Sequence, residues 1–363
     1  MRPPKFYLPS YLKALSVMMF VIVLVFILIV GKGLLIPLFM GGFFAVLFTP
    51  MVNWLEVKKT PRVLSTILAL LLMMTLVGGL ITFIVTNVSK FSRDFENVSE
   101  RIQQVAQEID VWTFQNFGVD ENLNEKATSG YLKDFFYDNS KDISGFVLNA
   151  LGSLTGIVLI LLFMFFFLLY RDHLTQVMVS IYRDKDSTLV KMRITSLRKL
   201  IFNYIVGVGK VMLILAILNI SAYTALGIKH AIFFGVIGAI LNIIPYVGPF
   251  FGVLLPIIYS FLTKDSLFYP IAILVIYQII QMVEGNYLTP KIVGGNVHLN
   301  AFVTLLGLLV GGTIWGVAGM ILVIPVMAVI REIFDFDEST KPFAQLMGEE
   351  KPKYKSEKDE IKE

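Results

Sequence analysis

The sequence predicts an all-α polytopic membrane protein of about eight transmembrane segments, with the sixth and eighth long and broken. Three observations predict it. Of the 363 residues, 56% are hydrophobic and 16% charged, against about 45–50% and about 25% in soluble domains. The apolar residues come in runs of the roughly 20 that a spanning helix needs. Two runs, Ala231–Leu262 and Ala301–Phe334, hold 32 and 34 residues. As single helices each would be roughly 50 Å long, against a hydrocarbon core of about 30 Å.

The first segment, Lys13–Val30, follows Arg2, Lys5 and Lys13. No small-residue cleavage site follows, and Gly31-Lys32-Gly33 leads straight into the second segment, Leu34–Leu55. The first segment is therefore read as an uncleaved helix. Val63–Val88 is the third segment, Phe146–Tyr170 the fourth, Val206–Gly227 the fifth and Leu267–Val283 the seventh. The overlong runs are the sixth and eighth. The sixth contains ILNIIPYVGPFFGVLLP, with Pro245, Pro249 and Pro256 beside Gly248 and Gly252. Proline removes an amide donor and clashes with the preceding turn. Such a break survives at membrane depth only where protein buries it or it lines a wet cavity. The eighth is interrupted at Gly311-Gly312-Thr313 and at Gly316–Gly319. Each is either a tilted helix with a break or a re-entrant hairpin, and the two options place the loop 285–300 on different sides. Both runs end in a similar phrase, Gly252 to Pro256 and Gly319 to Pro325, a hint of an inverted repeat.

Loop charge sets the expected orientation. Segment 171–210 carries eight basic and three acidic residues, whereas 89–145 carries six basic and eleven acidic ones. Basic loops stay cytoplasmic, so 89–145 falls outside and both termini inside. Five regions result: segments 1–3 over 1–88, an extracytoplasmic stretch over 89–145, and segment 4 with a basic cytoplasmic helix over 146–205. A transport core of segments 5–8 covers 206–335, and a charged cytoplasmic tail covers 336–363, disordered from 348. Phe91, Phe95, Val98, Ile102, Val105, Ile109 and Trp112 form a heptad seam. It packs either on its own chain or on another subunit, and 113–130 reads as a loop. Lys191, Arg193, Arg198 and Lys199 are expected to face headgroups near the inner leaflet.

The absence of cysteine excludes thiolate chemistry, and His173, His230 and His298 have no metal-ligand spacing. No phosphate-binding loop, hydrolase elbow or metalloprotease motif is present. Neither enzymatic activity, nor a cofactor, nor nucleic acid as a partner is expected. Polar groups in the apolar half are the candidates. Gln278, Gln281 and Glu284 share one arc of the seventh segment, followed by Asn286 and Pro290. Glu284 is either a functional carboxylate at membrane depth or a helix-end group paired with Lys291. Asn242 either packs or hydrogen-bonds freed backbone or a polar substrate. Tyr246 and Trp315 stand at the two breaks, as pathway residues or interfacial anchors. With Pro245, Gly248, Pro249, Gly312, Gly316 and Gly319 they complete the expected transport pathway.

IIPYVGPFFGVLLP (243–256), EGNYLTPKIVG (284–294) with HLN (298–300), and IWGVAGMILVIP (314–325) occur in this order. Together with the three-helix, large-loop layout, they resemble the autoinducer-2 exporter family of bacterial membrane permeases. The resemblance covers about residues 10–335. It implies an inner-membrane permease that moves a small polar solute by secondary transport or facilitated export. It also implies association into a homo-oligomer, with a pentamer as one form, in contact with membrane lipid. Two alternatives stand beside it: a sodium or other monovalent cation/proton antiporter using Glu284, and a non-transporting scaffold that binds a partner through 89–145.

The orientation is testable in this cysteine-free chain. A cysteine at Asn122 should react with an impermeant reagent in intact cells, and one at Lys185 should not. Labelling of both from outside would reverse the assignment.

Overall fold

A computed structural model describes residues 9–87, 115, 154–181, 186–264, 266–294, 299–336 and 338–349. The expected seam at Phe91–Trp112, the loop 113–130 apart from residue 115, His298 and the tail beyond 349 lie outside the described residues. Among the described residues the secondary structure is helical, with one isolated β-bridge, Leu299 to Gly348.

Helices α1 (Ser10–Val30) and α2 (Lys32–Val57) are the first two segments, separated by Gly31 alone. Helix α3 spans Arg62–Asn87. Helix α4 (Leu154–Leu169) turns by 70° at Tyr170 into α5 (Arg171–Ile181). Helix α6 (Ser187–Ala225) is 39 residues long. It joins the second half of the expected cytoplasmic stretch to the fifth segment without a break. Nothing in Ser187–Ala225 stops a helix, since no proline occurs and Gly207 and Gly209 cost only about 1 kcal/mol each. Helices α7 (Ala231–Leu241) and α8 (Val247–Thr263) make up the sixth segment. Helix α9 (Phe268–Val283) continues through a π-helical turn, Glu284–Leu288, into α10 (Thr289–Ile292). Helices α11 (Ala301–Asp335) and α12 (Lys341–Met347) follow. Among the described residues six helices are long and apolar enough to cross a membrane, and the bent α4–α5 pair raises this to seven. The two arms of the predicted sixth segment, α7 and α8, are shorter apolar helices.

The chain divides into two compact units. One comprises Met1–Leu47, Leu162–Tyr204 and Gly294–Glu363, the other Phe48–Leu161 and Ile205–Val293. Each contains one of the overlong runs, and each run is folded back on itself.

In the second unit, α7 and α8 lie antiparallel. His230 and Tyr259, at the far ends of the two arms, have ring centroids 5.4 Å apart, and Phe234 and Tyr259 are 5.2 Å apart. Nearer the turn a Cβ on Gly252 would stand 3.1 Å from Gly238 Cα, and one on Gly248 would stand 1.8 Å from Leu241 O. Only glycine allows two backbones to meet this closely. At about 16 and 25 Å the arms are too short to cross the core singly. Tyr223, Ile228, Phe233, Phe234, Tyr259 and Ile273 form the buried core around the base of this hairpin.

In the first unit, α11 is a hairpin as well. Its backbone reverses at Gly316, with φ 60° and ψ −140°, a region that L side chains do not adopt without strain. A Cβ on Gly319 would stand 1.9 Å from Gly311 O, and Gly307 faces Val323 and Met327. In a straight helix residues 307 and 327 would be about 30 Å apart. The hairpin base is closed by Asn300. Its side chain caps α11 through Val303 N at 2.8 Å and donates to Leu346 O at 2.7 Å and Gly348 O at 3.1 Å. The beginning of the expected tail is therefore an ordered helix clipped to the start of α11. Of the two options for the eighth segment the hairpin is the one adopted, and the base of the hairpin stands beside the C-terminal helix.

The basic stretch also differs from expectation in part. Lys191 and Lys199 are exposed, but Arg193 and Arg198 are half-buried. Arg193 pairs with Glu332 at 2.7 Å, and Arg198 donates to Arg171 O and Thr175 Oγ1. These two arginines hold helices together and do not simply face headgroups.

The glycine contacts predict a sharp contrast in stability. Gly319→Ala has no room beside Gly311 O and should cost about 1–3 kcal/mol. Gly285→Ala, with nothing within 4 Å, should stay within about 0.5 kcal/mol. Thermal unfolding of both purified variants in detergent checks this; equal stabilities would dissolve the hairpin contact.

Candidate functional site

The tip of the first hairpin is built from Asn242 to Pro249. Helix α7 ends in two tight turns, with Ile243 N on Ile240 O and Ile244 N on Leu241 O. Pro245 then stops the helix. Tyr246 has φ 66° and ψ −50°, and Val247 N reaches Pro245 O at 2.8 Å. This is a γ-turn of the rare, strained form. Gly248 N returns to Ile244 O at 2.8 Å. Pro249 sits in the first turn of α8, where a missing N–H leaves no bond unmade. Asn242 closes α7 with its backbone N–H on Gly238 O. Tyr246 is exposed and Gly248 buried, so the strained residue projects while the glycine makes the contact.

The tip of the second hairpin is Trp315-Gly316. The Trp315 indole donates to Leu28 O at 2.9 Å and its ring lies 5.5 Å from Phe39. Leu28 belongs to the last turn of α1, whose carbonyls lack helical partners. Trp315 therefore anchors the tip against α1 and α2 within the protein. Gly312 packs on Met320, and Gly319 on Gly311.

The seventh segment does not end at Val283, and the expected loop 285–300 begins as helix. Pro290 has no N–H to give to Asn286 O, and the register loosens to i→i+5, with Thr289 N on Glu284 O. Such π turns are frequent at functional sites. The Asn286 amide donates to Met282 O at 2.9 Å. Glu284 is half-buried and accepts from the Thr289 hydroxyl. The expected pairing with Lys291 does not form; Lys291 Nζ turns to Tyr287 OH at 2.9 Å. Helical geometry explains this: Thr289 is five residues on, opposite the widened turn, whereas Tyr287 and Lys291 are i, i+4 neighbours.

Within the second unit the polar groups divide by face. Gln278 is exposed. The inward line is Tyr277, Gln281 and Glu284, spaced i, i+4 and i+7 on one face of α9. Tyr277 is 3% exposed, and its hydroxyl is 3.1 Å from the position of a Cβ on Gly252. Gln281 approaches that hydroxyl without a well-aligned hydrogen bond. Asn219 and Tyr223 of α6 are buried in the same unit. The sequence reading passed over Asn219, Tyr223 and Tyr277. The available signal was a pair of polar residues at i, i+4 in an apolar helix, and a tyrosine in phase with Gln281 and Glu284. Of the expected pathway residues, Asn242 to Pro290 stand in the second unit and Gly312 to Gly319 in the first. Among the described residues no cluster of three or more His, Asp or Glu could hold a metal.

The sequence that folds into these two hairpins matches a known family model. The AI-2E family transporter model covers residues 16–337. The chain belongs to the AI-2E transporter family. YueF of Bacillus subtilis (strain 168), a candidate transport protein, is 27% identical over 318 residues, covering 83% of each chain. YrrI of the same organism, also a candidate transport protein, is 26% identical over 84% of this chain and 86% of its own. The AI-2 transport protein TqsA of Escherichia coli (strain K12) is 22% identical over 87% of this chain and 90% of its own. The AI-2E match takes in α1 to α11 and both hairpins. Membership makes this a multi-span membrane protein of a transporter family.

The pairing around Glu284 carries its own test. Thr289→Val should destabilise this AI-2E protein by about 0.5–1.5 kcal/mol, while Lys291→Gln should change stability by less than about 0.5 kcal/mol. Chemical unfolding of the two variants at pH 7 decides it; a larger loss for Lys291→Gln would restore the Glu284–Lys291 pair.

Proposed function

We propose that this chain is a permease that moves a small polar solute across the inner membrane by secondary transport or facilitated export. The observation that carries the reading is the pair of glycine-closed hairpins inside apolar segments. Turning a chain within hydrocarbon exposes backbone amides and carbonyls, and that is tolerated only in protein or beside a wet cavity. Broken helices at this depth serve transporters as binding elements. The strained γ-turn at Tyr246 supports the same reading, because such strain is held where surrounding structure over-determines it and collects at binding elements. Asn242, Pro245, Tyr246 and Pro249 at the first tip, and Gly312, Trp315 and Gly316 at the second, are the residues proposed to frame the route. The name of TqsA makes autoinducer-2 the first solute to test.

The second reading is exchange of a monovalent cation for a proton. One observation favours it: Glu284 is a half-buried carboxylate on a π turn, at the end of a polar line that runs inward through Gln281 to Tyr277. An ionisable group in such a position can carry a proton between states.

Flux through purified protein in liposomes tests both. Pro245→Ala with Pro249→Ala favours continuous helix, since each proline costs about 3 kcal/mol in a helix interior. The double variant should lose about tenfold in labelled autoinducer-2 flux and still run as folded protein. Unchanged flux would remove the hairpin tip from the route. Glu284→Gln should abolish cation-driven proton movement if exchange is the activity. Identical profiles from pH 5.5 to 8.5 in wild type and variant would end the antiporter reading.

A further inference from the structure

The crossing of the first hairpin leaves buried oxygens unanswered. Asn219 and Tyr223, each 1% exposed, stand one turn apart on a single face of α6. Tyr277 comes from α9. Asn219 Oδ1 and the hydroxyls of Tyr223 and Tyr277 have no hydrogen-bond partner in the protein. Asn219 and Tyr277 reach the glycine contact, and Tyr223 stands one turn from Asn219 on the same face of α6. Asn219 Nδ2 is 3.9 Å from the position of a Cβ on Gly238, and Tyr277 OH is 3.1 Å from that on Gly252. The two phenols are close enough to interact electrostatically. Pro256 adds an acceptor, because it has no N–H for the Gly252 carbonyl four residues back. That carbonyl oxygen lies 3.5 Å from the Gly238 Cβ position.

A buried polar group without a partner bears its full desolvation cost. Several around one contact therefore call for a common partner, and their chemistry restricts what it is. The amide oxygen and the carbonyl only accept, while phenols both donate and accept. The partner must donate to the first two and can accept from the others. Asn219, Tyr223, Tyr277 and Gly252 carry no charge, so an ammonium or a carboxylate would lie buried without a counter-ion. A divalent cation would lack the carboxylates it needs. A neutral O–H ligand meets every requirement: water donates to both acceptors, and a polyol does so through two of its hydroxyls.

We propose that Asn219, Tyr223 and Tyr277 form a binding site for a neutral hydroxyl group beside the glycine crossing of the first hairpin. Ordered water and the hydroxyl of a neutral polyol share this chemistry. The polyol source rests on the transport reading; the water source does not. Tyr277 is in phase with Gln281 and Glu284, which gives the site a polar line toward the end of α9.

Thermal unfolding of the full chain in detergent tests the site without any flux measurement, so a failed permease assay and a failed site remain distinguishable. Tyr223→Phe and Tyr277→Phe each delete one hydroxyl and keep the ring. Each should lower the midpoint by roughly 3–6 °C. The double variant should fall little further than the worse single one, because both lose the same ligand. Midpoints unchanged or raised in both single variants would overturn the proposal, as expected when an orphaned hydroxyl is removed and no partner is lost. A wild-type electron-microscopy map that resolves water gives the answer without a variant. Density within hydrogen-bond reach of the three oxygens supports the site, and phenols turned onto other partners with no density overturn it. Titration with erythritol, with trimethylamine oxide as a hydroxyl-free osmolyte control, separates the sources. A saturable rise above the control that disappears in Tyr277→Phe assigns the site to a polyol hydroxyl. An equal rise in wild type and variant assigns it to water.

Discussion

Hydrocarbon offers no hydrogen bonds, so every backbone amide and carbonyl at membrane depth must find its partner in the protein. The architecture follows from this constraint. Spanning helices satisfy it along their length. A chain that reverses inside the membrane satisfies it only if the two arms touch closely enough to shield the turn. Gly238 against Gly252, Gly248 against Leu241 and Gly311 against Gly319 provide that closeness. A Cβ on Gly248, Gly311 or Gly319 would overlap the facing backbone, and one on Gly252 would stand only 3.1 Å from Gly238 Cα. The hairpins exist because glycine permits the approach, and the prolines at 245 and 249 and the backbone of Gly316 fix where the reversal happens.

The ends of the elements obey the same constraint. Trp315 answers a carbonyl in the last turn of α1, and Asn300 answers the start of α11 and the C-terminal helix together. Pro290 takes a donor away from α9, and the helix adjusts through a π turn that brings Glu284 to Thr289. Each is a local repair of a missing hydrogen bond. Where the repairs are incomplete, around Asn219, Tyr223 and Tyr277, the constraint itself points to something outside the chain. Binding and structural integrity draw on the same resource, since an unpartnered oxygen costs stability until a ligand answers it.

In an AI-2E transporter this arrangement separates scaffold from candidate machinery. Long apolar helices with exposed aliphatic surface, such as α1 and α3, present to lipid what a soluble protein would bury. The polar groups collect on the inner faces of α6 and α9 and at the hairpin tips. Arg193 with Glu332, and Arg198 with Arg171 and Thr175, tie helix ends together in the first unit.

The sequence by itself determined the membrane class, the order of the apolar segments, the positions of both breaks and the family. These depend on composition, run length and the residue types glycine and proline, which act over a few positions along the chain. It also singled out Glu284 and the hairpin-tip residues. Only the tertiary structure decided that each broken run is a hairpin, because that depends on residues such as Gly307 and Met327 meeting across the turn. It alone gave Glu284 to Thr289 in place of Lys291, since a π turn shifts the helical register by one residue. It alone brought Asn219 and Tyr223 to Tyr277. Tyr277 lies more than 50 positions from the other two along the chain, and no local pattern records which apolar helices pack against each other. That choice is made by the glycine contacts, which fix the hairpin between α6 and α9 and so set their polar faces toward one spot.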